Sequence, residues 1–156
     1  MSARLETAWS IRRMRPRDIA AVLAVETVSY PYPWSERIFH DCLRVGYRAW
    51  IIGAPGQPVG GYALATIAVG EAHLLNLCVA PAARGQRLGE RLLDQLVSQA
   101  RMEAAHTLML EVRPSNTAAR RLYDRYGFVH QGTRPNYYPG ESEREDALLL
   151  SYKVAP

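Results

Sequence analysis

Leu74-Leu75-Asn76-Leu77-Cys78-Val79-Ala80-Pro81-Ala82-Ala83-Arg84-Gly85-Gln86-Arg87-Leu88-Gly89 is the stretch that decides the fold. An apolar run stops at Pro81, and a short loop of small, basic and glycine residues follows. Then Gly89, Leu92, Leu93, Leu96, Val97 and Ala100 fall 3, 4, 7, 8 and 11 residues from the first of them. That spacing predicts an amphipathic helix with Glu90, Arg91, Asp94 and Gln95 outward. A strand, a glycine-bearing loop and a helix form a phosphate cradle, because N–H groups at a helix N-terminus point at the anion and the helix dipole adds positive potential.

Downstream of this helix, the apolar run 108–112 reads as a buried strand, so strand, helix and strand make a crossover unit with parallel strands. Upstream, residues 47–54, 59–68 and 71–79 read as three strands. The short turns at Pro55-Gly56-Gln57-Pro58 and at Gly70 make them an antiparallel meander. Residues 8–14 form a first strand, and Pro16 opens a helix whose dipole Asp18 complements. Ile19, Val22, Leu23 and Glu26 follow at helical spacing, with Glu26 expected to emerge at the helix edge. Tyr30-Pro31-Tyr32-Pro33-Trp34 breaks that helix, and Ser35 caps the next one over 36–45. A helix over 117–126 closes at Gly127, followed by a strand at 128–134, a loop at 136–140 and a last strand at 147–154. The order is β-α-α-β-β-β-α-β-α-β-β, a single α/β domain over 1–156.

With 48% hydrophobic and 22% charged residues, the chain can bury a core. No apolar run reaches the roughly 20 residues needed to span a bilayer, and the first six residues lack a signal-peptide apolar region. Cys42 and Cys78 match no metal or redox spacing, so a cytoplasmic setting and no membrane partner are expected. His40, His73, His106 and His130 show no ligand spacing, and no metal is expected. The formal net charge is +4. With the basic residues scattered along the chain, the expectation is an ordinary mildly basic surface without nucleic-acid contact.

Glu111 stands between Leu110 and Val112 at the end of an apolar strand. A carboxylate there needs a partner or solvent, and the carboxyl end of a parallel strand is where open α/β sheets bind ligands. It is therefore a candidate general base, the alternative being a structural partner of Arg113. Tyr123 lies on or near the buried face of its helix, where the strand-turn-helix corner can return it towards the end of the Glu111 strand. A phenol there serves either core packing or proton donation to a leaving thiolate. Asn116 can cap its helix or reach a ligand. Cys78 reads as a small buried hydrophobe. The aromatics of residues 30–34 either seal the core or form one wall of a substrate groove.

Together these segments resemble the GNAT superfamily of acetyl-CoA-dependent N-acetyltransferases, over nearly the whole chain. The resemblance rests on the strand and loop from Leu77 to Glu90, on Leu110-Glu111-Val112-Arg113, Ser115-Asn116, Leu122-Tyr123, Gly127-Phe128 and Glu145-Asp146-Ala147. Pro33-Trp34-Ser35 and Asn136-Tyr137-Tyr138-Pro139 are similar, more narrowly, to the group that acetylates N-terminal alanine on ribosomal proteins. The resemblance implies the GNAT fold, a mixed central sheet of about seven strands with helices on both faces. It implies that Leu77, Cys78 and Val79 hold the acetyl and pantetheine portion of acetyl-CoA. Arg84, Gly85, Gln86, Arg87, Leu88, Gly89 and Glu90 would hold the pyrophosphate, and Asn116 would touch the pantetheine arm. Glu111 would be the general base, Tyr123 the general acid, and Trp34, Tyr137 and Tyr138 the peptide groove. The partner implied is the N-terminus of a small-subunit ribosomal protein.

In one respect the loop departs from its superfamily: Arg87 stands where the first glycine of Gln/Arg-x-x-Gly-x-Gly/Ala is expected. The loop can still offer its backbone N–H groups if Arg87 takes a right-handed helical conformation, as a residue of the first helical turn would. Transfer to an α-amine needs no covalent enzyme intermediate. An α-amine of pKa about 7.8 is about a quarter neutral at pH 7.4, whereas a lysine is neutral in only about one part in a thousand. Acetylation of lysine or of a small amine, and a non-catalytic acyl-CoA-binding module, are the competing readings.

Overall fold

The protein is described as a computed structural model covering residues 7–154. Its seven strands are β1 (Ser10–Arg13), β2 (Arg48–Gly53), β3 (Gly61–Ala68), β4 (Glu71–Val79), β5 (Thr107–Val112), β6 (Val129–Tyr138) and β7 (Glu145–Lys153). Four helices join them: α1 (Ile19–Ser29), α2 (Glu36–Arg44), α3 (Leu88–Met102) and α4 (Thr117–Tyr126). The strands form one sheet in the order β1-β2-β3-β4-β5-β7-β6. Only β4 and β5 run parallel, as the α3 crossover requires; the other neighbours are antiparallel. No helix among the described residues is long and apolar enough to cross a membrane.

The sheet separates two apolar layers. On one face Leu88, Leu92, Leu93, Leu96 and Ala100 of α3 pack with Leu122 and Tyr123 of α4 against Leu108, Leu110 and Val112 of β5. On the other, Ile19 and Val22 of α1 and Phe39 and Cys42 of α2 pack against Ile51, Tyr62, Leu64 and Cys78. The two-residue period of β5 thus sends Leu108, Leu110 and Val112 inward and leaves Glu111 on the opposite side.

Two details matter for the site. The β4–β5 ladder pairs Leu74 with Leu110 and goes no further, although β4 continues to Val79 and β5 to Val112. Beyond that pair the two strands diverge and leave an open notch at their carboxyl ends. And β6 runs on to Tyr138, through the segment expected to be a loop. The strand continues because Asn136, at φ 52, makes an irregularity in the register between Arg134 and Tyr138, and its N–H donates to Asp146 at 2.9 Å.

The hairpin between β3 and β4 turns on Val69 and Gly70, both at positive φ (49° and 80°). A β-branched residue is a poor occupant of that conformation, and Val69 is fully exposed, so its side chain gains nothing from packing. Val69→Asn should therefore stabilise the fold by about 1 kcal/mol, raising the melting temperature by about 2–4 °C in a calorimetric scan.

Candidate active site

A cavity of about 270 Å³ opens where β4 and β5 diverge. Its floor is Leu74 to Leu77 and Leu110 to Val112; Glu111, Tyr123 and Asn116 line it from β5 and α4; Tyr30, Tyr32 and Trp34 from the α1–α2 loop and Tyr138 from β6 form its walls. The fold thus brings together Leu77, Trp34, Glu111, Asn116, Tyr123 and Tyr138 of the residues anticipated from sequence. Tyr137 is not in that lining: its ring packs edge-on against Tyr138 at 4.9 Å. Cys78 is buried in the layer beneath α1 and α2, and burial pushes its thiol up, as befits a packing residue rather than a nucleophile.

Glu111 has an inner side on the cavity and an outer side towards β6. There Arg134 approaches at 3.6 Å, its guanidinium resting 4.9 Å from the centre of the Tyr137 ring. The carboxylate's negative charge, with some burial, raises the Tyr137 phenol above its ordinary value. Arg113, the alternative partner of Glu111, is occupied elsewhere. It donates to Pro139 O at 2.8 Å and Glu145 at 3.2 Å, and its guanidinium lies between the rings of Tyr32 (5.1 Å) and Tyr138 (4.4 Å). This stack joins the α1–α2 loop to the β6–β7 corner across the cavity mouth.

Tyr123 is 5% exposed, its ring edge-on to Phe128 at 5.4 Å. Burial first, then the neighbouring Tyr138 and Cys78, hold its phenol well above the ordinary tyrosine value. The hydroxyl is thus protonated throughout the physiological range. Burial and the charge of Glu111 push Tyr138 up to about 12.

Glu26 departs from its expected place at a helix edge. It is 2% exposed and accepts three hydrogen bonds: from Tyr62 Oη at 2.7 Å, Asn76 Nδ2 at 2.9 Å and the Trp34 N–H at 2.9 Å. These donors explain why a carboxylate is tolerated there. They tie α1 to the sheet and fix the backbone of Trp34 on the cavity wall. Nearby, Tyr30 donates to Leu77 O at 2.7 Å and so anchors the end of β4 where it leaves β5. Sequence reasoning had no signal for Tyr30 beyond its place among prolines. For Glu26 the signal was the apolar stripe it completes.

At the N-terminus of α3, Arg87 occupies the cap position at φ 60, ψ 27. The right-handed conformation considered from the sequence is not the one found: Arg87 takes the left-handed geometry that a glycine would adopt there, as does Gly85 at φ 81. No side chain caps the helix. The N–H groups of its first turn are therefore directed at the loop concavity, with Arg84 and Arg87 exposed beside it. Gln86 bridges Trp9 Nε1 at 2.9 Å and Ala83 O at 3.3 Å, bracing the loop against the start of β1. Leu88 and Gly89 are buried, so they present backbone alone. Gly89 is small for a packing reason: a Cβ there would lie 2.7 Å from Leu122 of α4. Glu90 sits in the first turn, 4.0 Å from Arg125.

An uncapped helix N-terminus with arginines at its mouth lies next to a strand edge with no partner strand, an arrangement that suits a phosphate-bearing ligand laid along β4 with a carboxylate and a phenol within the same cavity. A profile described as the acetyltransferase (GNAT) family matches residues 16–128, and the chain belongs to that family. It is 32% identical over 146 residues to the [ribosomal protein bS18]-alanine N-acetyltransferase of Escherichia coli K12, covering 94% of this chain and 98% of that protein. The protein of the same name from Haemophilus ducreyi is 41% identical over 136 residues, covering 86% and 93% of the two chains. The crystal structure of the Escherichia coli ribosomal-protein-S18-alanine N-acetyltransferase superposes with a TM-score of 0.86 at 32% identity, over 95% of each chain.

Proposed function

We propose that this chain transfers the acetyl group of acetyl-CoA to the α-amine of a protein N-terminus, that of an alanine on a small-subunit ribosomal protein. The observation that carries the reading is the single cavity shared by Glu111, Tyr123 and the open edge of β4, walled by Trp34, Tyr32 and Tyr138. The likeness to the bS18-alanine enzymes supports the substrate.

The residues present fit acetyl-CoA. The α3 N-terminus and the loop 84–87 would hold its pyrophosphate, and Leu77 to Val79 with Asn116 the pantetheine arm along the notch. The carrier supplies an activated thioester. Glu111 accepts a proton from the incoming ammonium, directly or through one water. Arg134 and Tyr137, on the outer side of that carboxylate, keep its inner oxygen turned to the cavity. A backbone N–H on the free edge of β4 near Val79 stabilises the oxyanion. Tyr123 returns a proton to the departing sulfur. The aromatic walls orient the peptide at small entropic cost, since such side chains have few rotamers to lose.

Incubating the purified protein with acetyl-CoA and matched peptides tests the substrate. An Ala-start peptide should be acetylated at its α-amine and the same peptide with a blocked N-terminus and an internal lysine should not. Modification of lysine alone would overturn the substrate assignment.

A further inference from the structure

The two-residue period of a strand would put Asn76 on the same face of β4 as Leu74, towards α3. It does not stand there. The β3–β4 register pairs Ala65 with Leu74 and Leu64 with Asn76, so Leu75 is an extra residue, a bulge. Ala65 and Leu74 belong to the apolar layer under α3, whereas Leu64 belongs to the layer under α1 and α2. The bulge therefore turns Asn76 to the face that also carries Glu111, and the two side chains line one cavity from the two diverging strands. What lies behind Asn76 orients its amide. Nδ2 donates to Glu26 Oε1 at 2.9 Å, an oxygen that also takes the Tyr62 hydroxyl at 2.7 Å, while Oε2 takes the Trp34 N–H at 2.9 Å. A carboxylate that accepts three hydrogen bonds faces the nitrogen of the amide and sends its oxygen the other way. Among the described residues no group donates to Asn76 Oδ1, and unlike Ser29 Oγ it is not sealed from solvent. The comparable groups of the cavity are committed: Asn116 Oδ1 accepts from the Ala119 N–H at 3.2 Å, and Tyr30 donates to Leu77 O at 2.7 Å.

We propose that Asn76 Oδ1 is the second acceptor for the substrate's α-ammonium, beside Glu111, and that Glu26 is the positioning residue that keeps this oxygen turned to the cavity. The inference rests on the proposed function and deepens it. An ammonium drawn out of water needs acceptors for its N–H groups, and one carboxylate oxygen does not satisfy all of them. A second carboxylate would hold the amine in its charged, unreactive form, whereas a neutral carbonyl takes an N–H at much smaller cost to deprotonation. When one proton has passed to the Glu111 carboxylate, the neutral amine still carries two N–H groups. Asn76 keeps its hydrogen bond across that step and holds the nitrogen in the notch while it attacks the thioester carbon.

Isothermal titration calorimetry at about pH 6.5, where the α-amine is charged, tests this with saturating coenzyme A present. It compares an Ala-start peptide with the same peptide begun by a propionyl group, which keeps the methyl and the carbonyl and lacks the nitrogen. The parent should bind the Ala-start peptide more tightly. Asn76→Ala should cut that preference by about tenfold, weakening the Ala-start peptide and leaving the propionyl peptide as it was, because one hydrogen bond to a charged group is lost. Asn76→Leu, which keeps the volume, should do the same. Glu26→Gln frees the Asn76 amide to turn and should cut the preference too, and the Glu26→Gln, Asn76→Ala double variant should discriminate no worse than Asn76→Ala alone. Binding of the propionyl peptide needs the same groove and reports a folded variant. Equal weakening of both peptides, or no change in the preference, would overturn the inference while α-acetylation by the parent leaves the proposed function standing. A parent that does not acetylate the Ala-start peptide at its α-amine would overturn both.

Discussion

Tyr123→Phe should lower kcat by about 100-fold while leaving KM for acetyl-CoA nearly unchanged. The hydroxyl is expected to act only as the sulfur departs, and a general acid contributes at least about that factor. The ring still packs on Phe128, so the variant should melt with the parent. The pH dependence gives a second test. A general acid works while protonated, so activity is lost as pH rises through its pKa. Burial raises that pKa in Tyr123, and the loss moves to higher pH. The rate should therefore rise through about pH 7.8 as the substrate amine loses its proton, then stay level to at least about pH 10. A fall near pH 8–9 that disappears in the phenylalanine variant would show a phenol of lowered pKa and contradict the role assigned here.

Glu111→Gln should give the other large effect, about 100-fold in kcat/KM at pH 7. The deficit should narrow towards pH 9, where the α-amine is already neutral and needs no base. Stability should change little, because the partner left behind, Arg134, is about half exposed and can turn to solvent. Steady-state rates on an Ala-start peptide between pH 6 and 9.5 check this; a deficit that does not vary with pH would remove Glu111 as the proton acceptor.

The order of elements was legible from sequence because it rests on local rules: the 3.6-residue stripe of α3, the cap at Ser35, the stop at Gly127. So was the convergence of Glu111 and Tyr123, which follows from a strand-turn-helix corner. What escaped depends on tertiary contacts. The burial of Glu26 needs three donors from two strands and a loop, none near it in sequence except Trp34. The partner of Glu111 proved to be Arg134 rather than the adjacent Arg113, because Arg113 is drawn into the stack between Tyr32 and Tyr138. Arg87 could be seen as an anomaly but its left-handed backbone could not, since a right-handed first turn was equally compatible with the letters.

We propose transfer to an α-amine by Glu111 and Tyr123 in one cavity. Tandem mass spectrometry of an Ala-start ribosomal-protein peptide after incubation with the purified protein and acetyl-CoA tests it most directly. One acetyl group on the terminal nitrogen, formed by the parent and almost absent with the Glu111→Gln, Tyr123→Phe double variant, is the predicted result. Acetylation at any other nitrogen, or equal product from the double variant, would contradict it.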